Sequence, residues 1–426
     1  MIRDFWVENY LSIRDRQELS FVSKTQDDFL SFEVAKGVFL NKLGILYGAN
    51  ASGKSNMLCA VQNIFDLLYQ SRTDITEKVL SAPAFELTKD NNTMMHVSFY
   101  ADAVRYDYDI EYCSDHIVSE KLYYYPNNSK ALFYERTFKG TDIQADIKFG
   151  DSLGIKAKTR EILAANTLHN HSVLSTYRKV LAGEDIQPIA KLFKWIEEHV
   201  HQINGDGKKD IVEKFKDIIA NKKLRKFYQL MLKKADLNIS DFLVIKKEKK
   251  ISPKLCQIIM DNDELSEKAK KRLLEEDDED ILFVNQSVDG NFGIPWHLQS
   301  QGTKLYLHVL SFLYELITGS HLYLLDELDE DLHYDLFVYF LNVFIYNSES
   351  SQLIFTSQEI SLLAEDLLNE HRGLVWFVDK NAETASSEYS RADSYGLHKN
   401  LSLYNSYKIG RLGGKPELGS YFIDLD

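Results

Sequence analysis

Residues 48–55 read Gly48-Ala49-Asn50-Ala51-Ser52-Gly53-Lys54-Ser55, a complete match to G-x-x-x-x-G-K-[ST]. The apolar run Leu43-Gly44-Ile45-Leu46-Tyr47 in front of it supplies the strand that such a loop leaves, and a helix is expected from about Ser55 to Tyr69. Glycines let successive backbone N–H groups turn toward one anion, and the opening of the helix adds its positive end to the same place. In this reading Gly48, Asn50, Ser52, Gly53 and Asn56 line a phosphate site. Lys54 reaches the β- and γ-phosphates of ATP, and the Ser55 hydroxyl ligates Mg²⁺. A plain glycine turn between strand and helix is the alternative, and the full match after an apolar strand stands against it.

Composition bounds what can surround this loop. The 426 residues, 44% hydrophobic and 27% charged, suffice for two or three globular domains with a large core. A net charge of −14 argues against nonspecific polyanion binding by the whole surface, although a local basic groove stays open. Cys59, Cys113 and Cys256 are widely spaced, which suggests neither a disulfide framework nor a zinc knuckle and fits a reducing compartment. Met1-Ile2-Arg3-Asp4-Phe5-Trp6 lacks the basic and apolar regions of a secretory signal. The apolar stretch Leu305 to Leu325 is interrupted by His308, Glu315 and His321, so it is read as buried helix plus buried strand. A cytoplasmic protein with no membrane partner is expected.

The chain is expected to fall into three parts. The first, 1–150, carries short strands at Ile2–Val7 and Glu18–Val22, the phosphate loop, and period-two segments at 95–100, 105–110, 121–125 and 132–134 that read as an antiparallel sheet. Its tyrosines form either a half-buried packing face or a base-stacking platform, the former fitting alternate strand positions better. The second part, 151–280, shows helical spacing, as in Ile189–Ile196 and Phe215–Leu232, and is read as an insertion of helices. It holds a lysine-rich run from Lys208 to Lys234, the cluster Lys246-Lys247-Glu248-Lys249-Lys250 and the acidic block Glu275–Asp280. Each is a solvated face or a docking surface. No sustained heptad repeat indicates a long coiled coil.

The third part, 281–426, completes the site. His321-Leu322-Tyr323-Leu324-Leu325-Asp326-Glu327 reads as a buried strand ending in two acids, expected beside the strand that feeds the phosphate loop. Asp326 would hold Mg²⁺ with Ser55, and Glu327 would polarise the attacking water. Upstream, Ser300-Gln301-Gly302-Thr303-Lys304 opens an apolar helix and makes a second anion-binding helix start, with an ordinary cap as the plainer reading. Two such starts in one chain are redundant unless the second, through Ser300 and Gly302, serves another subunit's nucleotide.

These segments carry a resemblance. The chain resembles the ABC-type ATPases of the SMC and RecF superfamily. It looks more like the AAA-family ATP-binding proteins of abortive-infection and phage-defence operons, of the RloA/AbiL type and similar to the ATPase of the PARIS system. Its carriers are Ile2–Ile13, Gly48–Asn56, Lys234–Ile239, Ser300–Lys304, DELDEDLH at 326–333, Leu353–Ser357 and the tail Tyr407–Pro416. The resemblance implies an α/β fold, a phosphate-loop ABC-type ATPase head with an antiparallel β subdomain and a helical insertion. It further implies a head-to-tail homodimer or higher oligomer that sandwiches ATP, with Asp329–His333 crossing the interface. One position departs from the family. Gln358 stands where a histidine usually contacts the γ-phosphate, and glutamine cannot carry a proton or positive charge. Slow hydrolysis, or hydrolysis used as a switch, is therefore expected. Gln70 is the candidate for the usual glutamine loop.

Two function classes follow. One is a defence ATPase that senses infection and controls a separately encoded toxin or nuclease. The other is a chromosome-maintenance ATPase that binds DNA directly. The acidic balance, the absence of a coiled coil and the tail favour the first, and nucleic-acid binding stays open. A self-contained nuclease would need an additional metal-binding domain, for which too little sequence follows Gln358.

Overall fold

The period-two segments pair as their spacing requires. The computed structural model describes residues 1–24, 29–70, 74–138, 140, 146–181, 187–202, 211–247, 256–257, 260–262, 266, 278–329, 332–398, 400–416 and 422–423. In chain order the strands are β1 (Ile2–Glu8), β2 (Gln17–Ser20), β3 (Ser31–Ala35), β4 (Val38–Asn41), β5 (Leu43–Gly48), β6 (Thr93–Ala101), β7 (Val104–Tyr112), β8 (Ile117–Tyr124) and β9 (Ala131–Thr137). There follow β10 (Asp146–Phe149), β11 (Val200–Gln202), β12 (Ile239–Lys247), β13 (Asp278–Ser287), β14 (Gly290–Pro295), β15 (Leu322–Leu325), β16 (Gln352–Ser357), β17 (Val375–Lys380) and β18 (Ser387–Arg391). The chain divides into two compact units, Met1–Ile203 with Glu315–Glu330 and Val338–Asp426, and Asn204–Tyr314 with Asp331–Phe337.

In the first unit a seven-stranded antiparallel sheet runs in the order β10-β9-β8-β7-β6-β1-β2. Alternation puts Tyr106, Tyr108, Tyr124 and Tyr134 inside, where Tyr106 stacks on Phe99 at 5.5 Å. These rings are packing, not a platform for bases. A second sheet runs β11-β15-β16-β5-β17-β18, parallel as far as β17, with β18 antiparallel at the edge. Every residue of β5 is buried, as a central strand covered on both faces requires. Helix α1 (Lys54–Tyr69) follows it and packs Phe65 against Phe99 of the first sheet at 5.3 Å. Gln352, fully buried, ties the sheets together: its side chain accepts from Ile2 N at 2.8 Å and donates to the carbonyls of Ile2 and Asn41.

The acidic strand does not lie beside β5. Strand β16 intervenes between β15 and β5 and registers with both, Phe355 against Leu325 and Ile45. The apolar runs of β15 and β16 are alike, so sequence alone could not say which one touches the loop strand.

The observed division of 151–280 also differs from one helical insertion. Helices α2 (Ala157–Asn166), α3 (Val173–Leu181) and α4 (Gln187–His199) belong to the first unit, where Trp195 stacks on Phe99 at 5.8 Å. The second unit contains α5 (Ile211–Ala220) and α6 (Lys222–Lys234) and a three-stranded antiparallel sheet β12-β13-β14. The helical stretch breaks at Asn221, whose side chain accepts from Lys223 N and Leu224 N as an N-cap. Strand β12 alternates buried Phe242 with exposed Leu243, and the lysines that follow obscured that alternation. Phe215 gathers this unit's core, meeting Phe242 at 5.2 Å and Phe283 at 5.4 Å. Lys208, Lys209, Lys249, Lys250, Glu275, Glu276, Asp277, Glu330 and Asp331 lie outside the described residues. Among the described residues no helix is long and apolar enough to cross a membrane.

Candidate nucleotide site

The loop between β5 and α1 is shaped from behind. Gly53 has φ +112, and a Cβ there would lie 2.1 Å from Ser387 Oγ, so the chain needs glycine both for its angle and for the room. Ser387 Oγ donates to Ser52 O at 2.5 Å, Tyr389 OH donates to Gly53 O at 2.6 Å, and Ser12 Oγ joins Ser387 Oγ at 2.7 Å. Asn56 turns its amide to Ser12 Oγ at 2.7 Å, which makes it an anchor of the loop's base in this structure. Asn50 is exposed, and Ser52 is buried with its hydroxyl unpartnered. The residues that brace the loop, Ser387 and Tyr389 of β18, carry no sequence signal.

Lys54 is buried, and its ammonium donates to the carbonyls of Gly48 at 2.9 Å and Ala49 at 3.0 Å. Burial lowers its pKa, opposed by the negative charges of Glu327, Asp326 and Asp329. A cation thus sits inside the loop where phosphate oxygens would lie.

The acids approach from β15 across β16. Ser55 Oγ donates to Asp326 Oδ1 at 3.0 Å, and Thr356 Oγ1 donates to the same oxygen at 2.5 Å. Thr356 Oγ1 also accepts from Glu327 N at 2.7 Å, holding Glu327 at φ +50, a left-handed angle that a non-glycine residue adopts at a cost. Gln358 Nε2 donates to Glu327 Oε1 at 2.9 Å. Asp329 Oδ2 accepts from Ser357 Oγ and from the backbone N–H groups of Gln358 and Glu359, fixing the turn after β16. Lys54, Ser55, Asp326, Glu327 and Gln358 therefore share one site, organised by Thr356, a hydroxyl at the end of an apolar strand that carries no sequence signal of its own. The Ser55 hydroxyl and the Asp326 carboxylate are hard oxygen donors 3.0 Å apart, a donor set that suits Mg²⁺.

One sequence candidate lies elsewhere in the first unit. Gln70 caps the far end of α1, about 24 Å along a helix of this length, and donates to Asp66 Oδ1, so it is not at the loop. Ser300 and Gly302 belong to the second unit, where Ser300 Oγ accepts from Thr303 N at 3.1 Å and caps α7 (Gln301–Thr318).

Among solved structures the chain is similar to the SMC head domain from Thermotoga maritima, with TM-score 0.40 and 12% identity, covering 92% of this chain and 98% of that one. It is also similar to an SmcHead bound to the C-winged helix domain of ScpA, with TM-score 0.40 and 14% identity, covering 96% and 99%. No curated protein matches the chain. The family described as "AAA domain, putative AbiEii toxin, Type IV TA system" matches residues 44–364. That span holds the phosphate loop, the acidic strand and the intervening strand, and the chain belongs to this family.

Proposed function

We propose that the chain binds ATP with Mg²⁺ and hydrolyses it slowly, as an ABC-type ATPase that acts as a sensor or scaffold in antiviral defence and controls a separately encoded toxin or nuclease. The observation that carries the ATPase reading is the convergence of Ser55 and Thr356 on Asp326, with Gln358 on Glu327. Its family's description supports the defence setting.

Each residue has a definable task. The loop N–H groups and the α1 N-terminus bind the phosphates, and Lys54 exchanges its loop carbonyls for β- and γ-phosphate oxygens. Ser55 and Asp326 would hold Mg²⁺, which when bound supplies charge neutralisation between the phosphates. Glu327 accepts a proton from the attacking water. Gln358 fixes one of its carboxylate oxygens, leaving the other to orient that water. Glutamine adds no positive charge at the γ-phosphate, which accounts for slow turnover. Ser300 and Gly302 would close the site from a second copy of the chain.

Two substitutions test this. Lys54→Ala is expected to abolish ATP binding, because no other cation sits inside the loop among the described residues. Glu327→Gln is expected to keep binding and lose turnover. Wild-type affinity in the first variant, or wild-type turnover in the second, would reject the assignment.

A further inference from the structure

The tail motif Tyr407–Pro416 has no task in the reaction as described, yet it packs on the phosphate loop. After the short helix Leu403–Lys408 the chain turns through Gly410 and buries Leu412. It then brings Gly413 and Gly414 against the ends of β5 and β17. A Cβ on Gly414 would lie 3.0 Å from Gly48 Cα and 3.0 Å from Tyr47 O, both backbone atoms of the loop strand. A Cβ on Gly413 would lie 1.8 Å from Asp379 Oδ2. Only glycine lets two backbones approach so closely.

The approach is held by named bonds. Gly414 N donates to Asp379 Oδ1 at 2.5 Å, Gly413 N donates to Tyr395 OH at 3.2 Å, and Tyr407 OH donates to Gly414 O at 2.9 Å. Tyr407 meets Tyr47 edge-on at 5.6 Å and stacks on Phe377 of β17 at 6.0 Å. Gly48 itself is confined on its other side, since a Cβ there would lie 2.5 Å from Val378 O and 2.7 Å from Ser52 Oγ. The first residue of the phosphate loop is thus clamped between β17 and the tail.

We propose that Tyr407–Gly414 is a strap belonging to the nucleotide site, which sets the position of Gly48 and is coupled to nucleotide occupancy; this rests on the ATP reading above. Gly413, Gly414, Tyr407 and Asp379 are positioning residues, acting on phosphate through the loop. Because Lys54 bonds Gly48 O, a shift of Gly48 moves the acceptor of the loop's own cation. Linkage then runs both ways: nucleotide that favours the ordered loop favours the docked strap to the same extent.

Gly414→Ala and Gly410→Ala make the test. Both residues have left-handed backbone, φ +79 and φ +74, but nothing lies within 4 Å of a Cβ on Gly410. The two substitutions share backbone strain, and only the first presses on Gly48. Titration with a fluorescent ATP analogue is expected to show about tenfold or more weaker binding for Gly414→Ala and less than about twofold for Gly410→Ala. Equal affinities in the two variants would overturn the strap. Should Gly414→Ala fail to fold, amide exchange of the wild-type chain decides: ATP slows exchange at residues 407–414 if the strap is coupled, and leaves it unchanged if it is not. Absence of binding to the wild-type chain would overturn the ATP reading and the strap together, whereas binding with no strap effect rejects the strap alone.

Discussion

Thr356 places one hydroxyl between the two acids of the site, donating to Asp326 and accepting from Glu327 N. Thr356→Val removes both bonds at little change in shape, and the charge-assisted one is worth about 1.5–3 kcal/mol. Turnover is expected to fall about tenfold to a hundredfold, and the lost bonds at this buried site also lower the thermal midpoint by a few degrees, so steady-state hydrolysis is measured below the variant's melting transition. At Gln358 the opposite is expected. An imidazole could add a charge-assisted bond at the γ-phosphate, on the order of 1–3 kcal/mol, so Gln358→His should raise hydrolysis and shorten the life of the ATP-bound state. Unchanged turnover and unchanged retention of partner or dimer would remove Gln358 from the mechanism. Lys54, Ser55, Asp326 and Glu327 were legible because phosphate chemistry restricts the residue types that can occupy such positions. Thr356, Ser387 and Tyr389 were not, because a hydroxyl at a strand end becomes informative only once the sheet order shows what it faces.

Strands β8 and β9 carry a fully buried ion pair, Glu120 opposite Arg136, with nitrogen and oxygen 3.7 Å apart. Burial pushes the Glu120 carboxyl up, opposed by the Arg136 charge and by donors from Val173 N and Tyr108 OH. Arg136 also donates to the carbonyls of His171 and Leu168, pinning the segment before α3 to the sheet. Arg136→Met leaves an uncompensated buried acid and is expected to cost about 3–5 kcal/mol, read as a lower urea midpoint at constant slope. Helix α7 offers a second test. Ser300→Asp keeps a side-chain acceptor for the helix cap but sets a negative charge at the proposed phosphate contact, so stability should hold while turnover falls. Full activity in that variant would separate Ser300 from the nucleotide. At this scale alternation exposed the antiparallel sheet and length exposed α1 and α7, since both follow from burial. Strand β12 escaped because its inward residues are few and lysines crowd its end.

The chain carries a net charge of −14, so two copies brought head to tail repel one another unless ATP and complementary surfaces hold them. Glu327→Gln with ATP is expected to double the mass seen by light scattering, and Lys54→Ala to remain single under the same conditions. Reversal of Lys246, Lys247, Lys249 and Lys250 is expected to weaken effector recruitment with ATPase activity intact, and retained recruitment would reject that surface. The whole sheet order could not be read from local pattern, because its key pairings join distant residues. Strand β5 is flanked by β16 and β17, with Leu43 opposite Leu353 and Ile45 opposite Val375. During synthesis the phosphate-loop strand therefore emerges hundreds of residues ahead of both partners. At ribosomal speeds it waits on the order of tens of seconds, apolar and with both edges open. On the proposed ATP reading, nucleotide would stabilise the loop only after β16 and β17 have closed around it, so binding would report completed assembly. A nascent or truncated chain lacking those strands exposes an aggregation-prone segment with no anion site to bind.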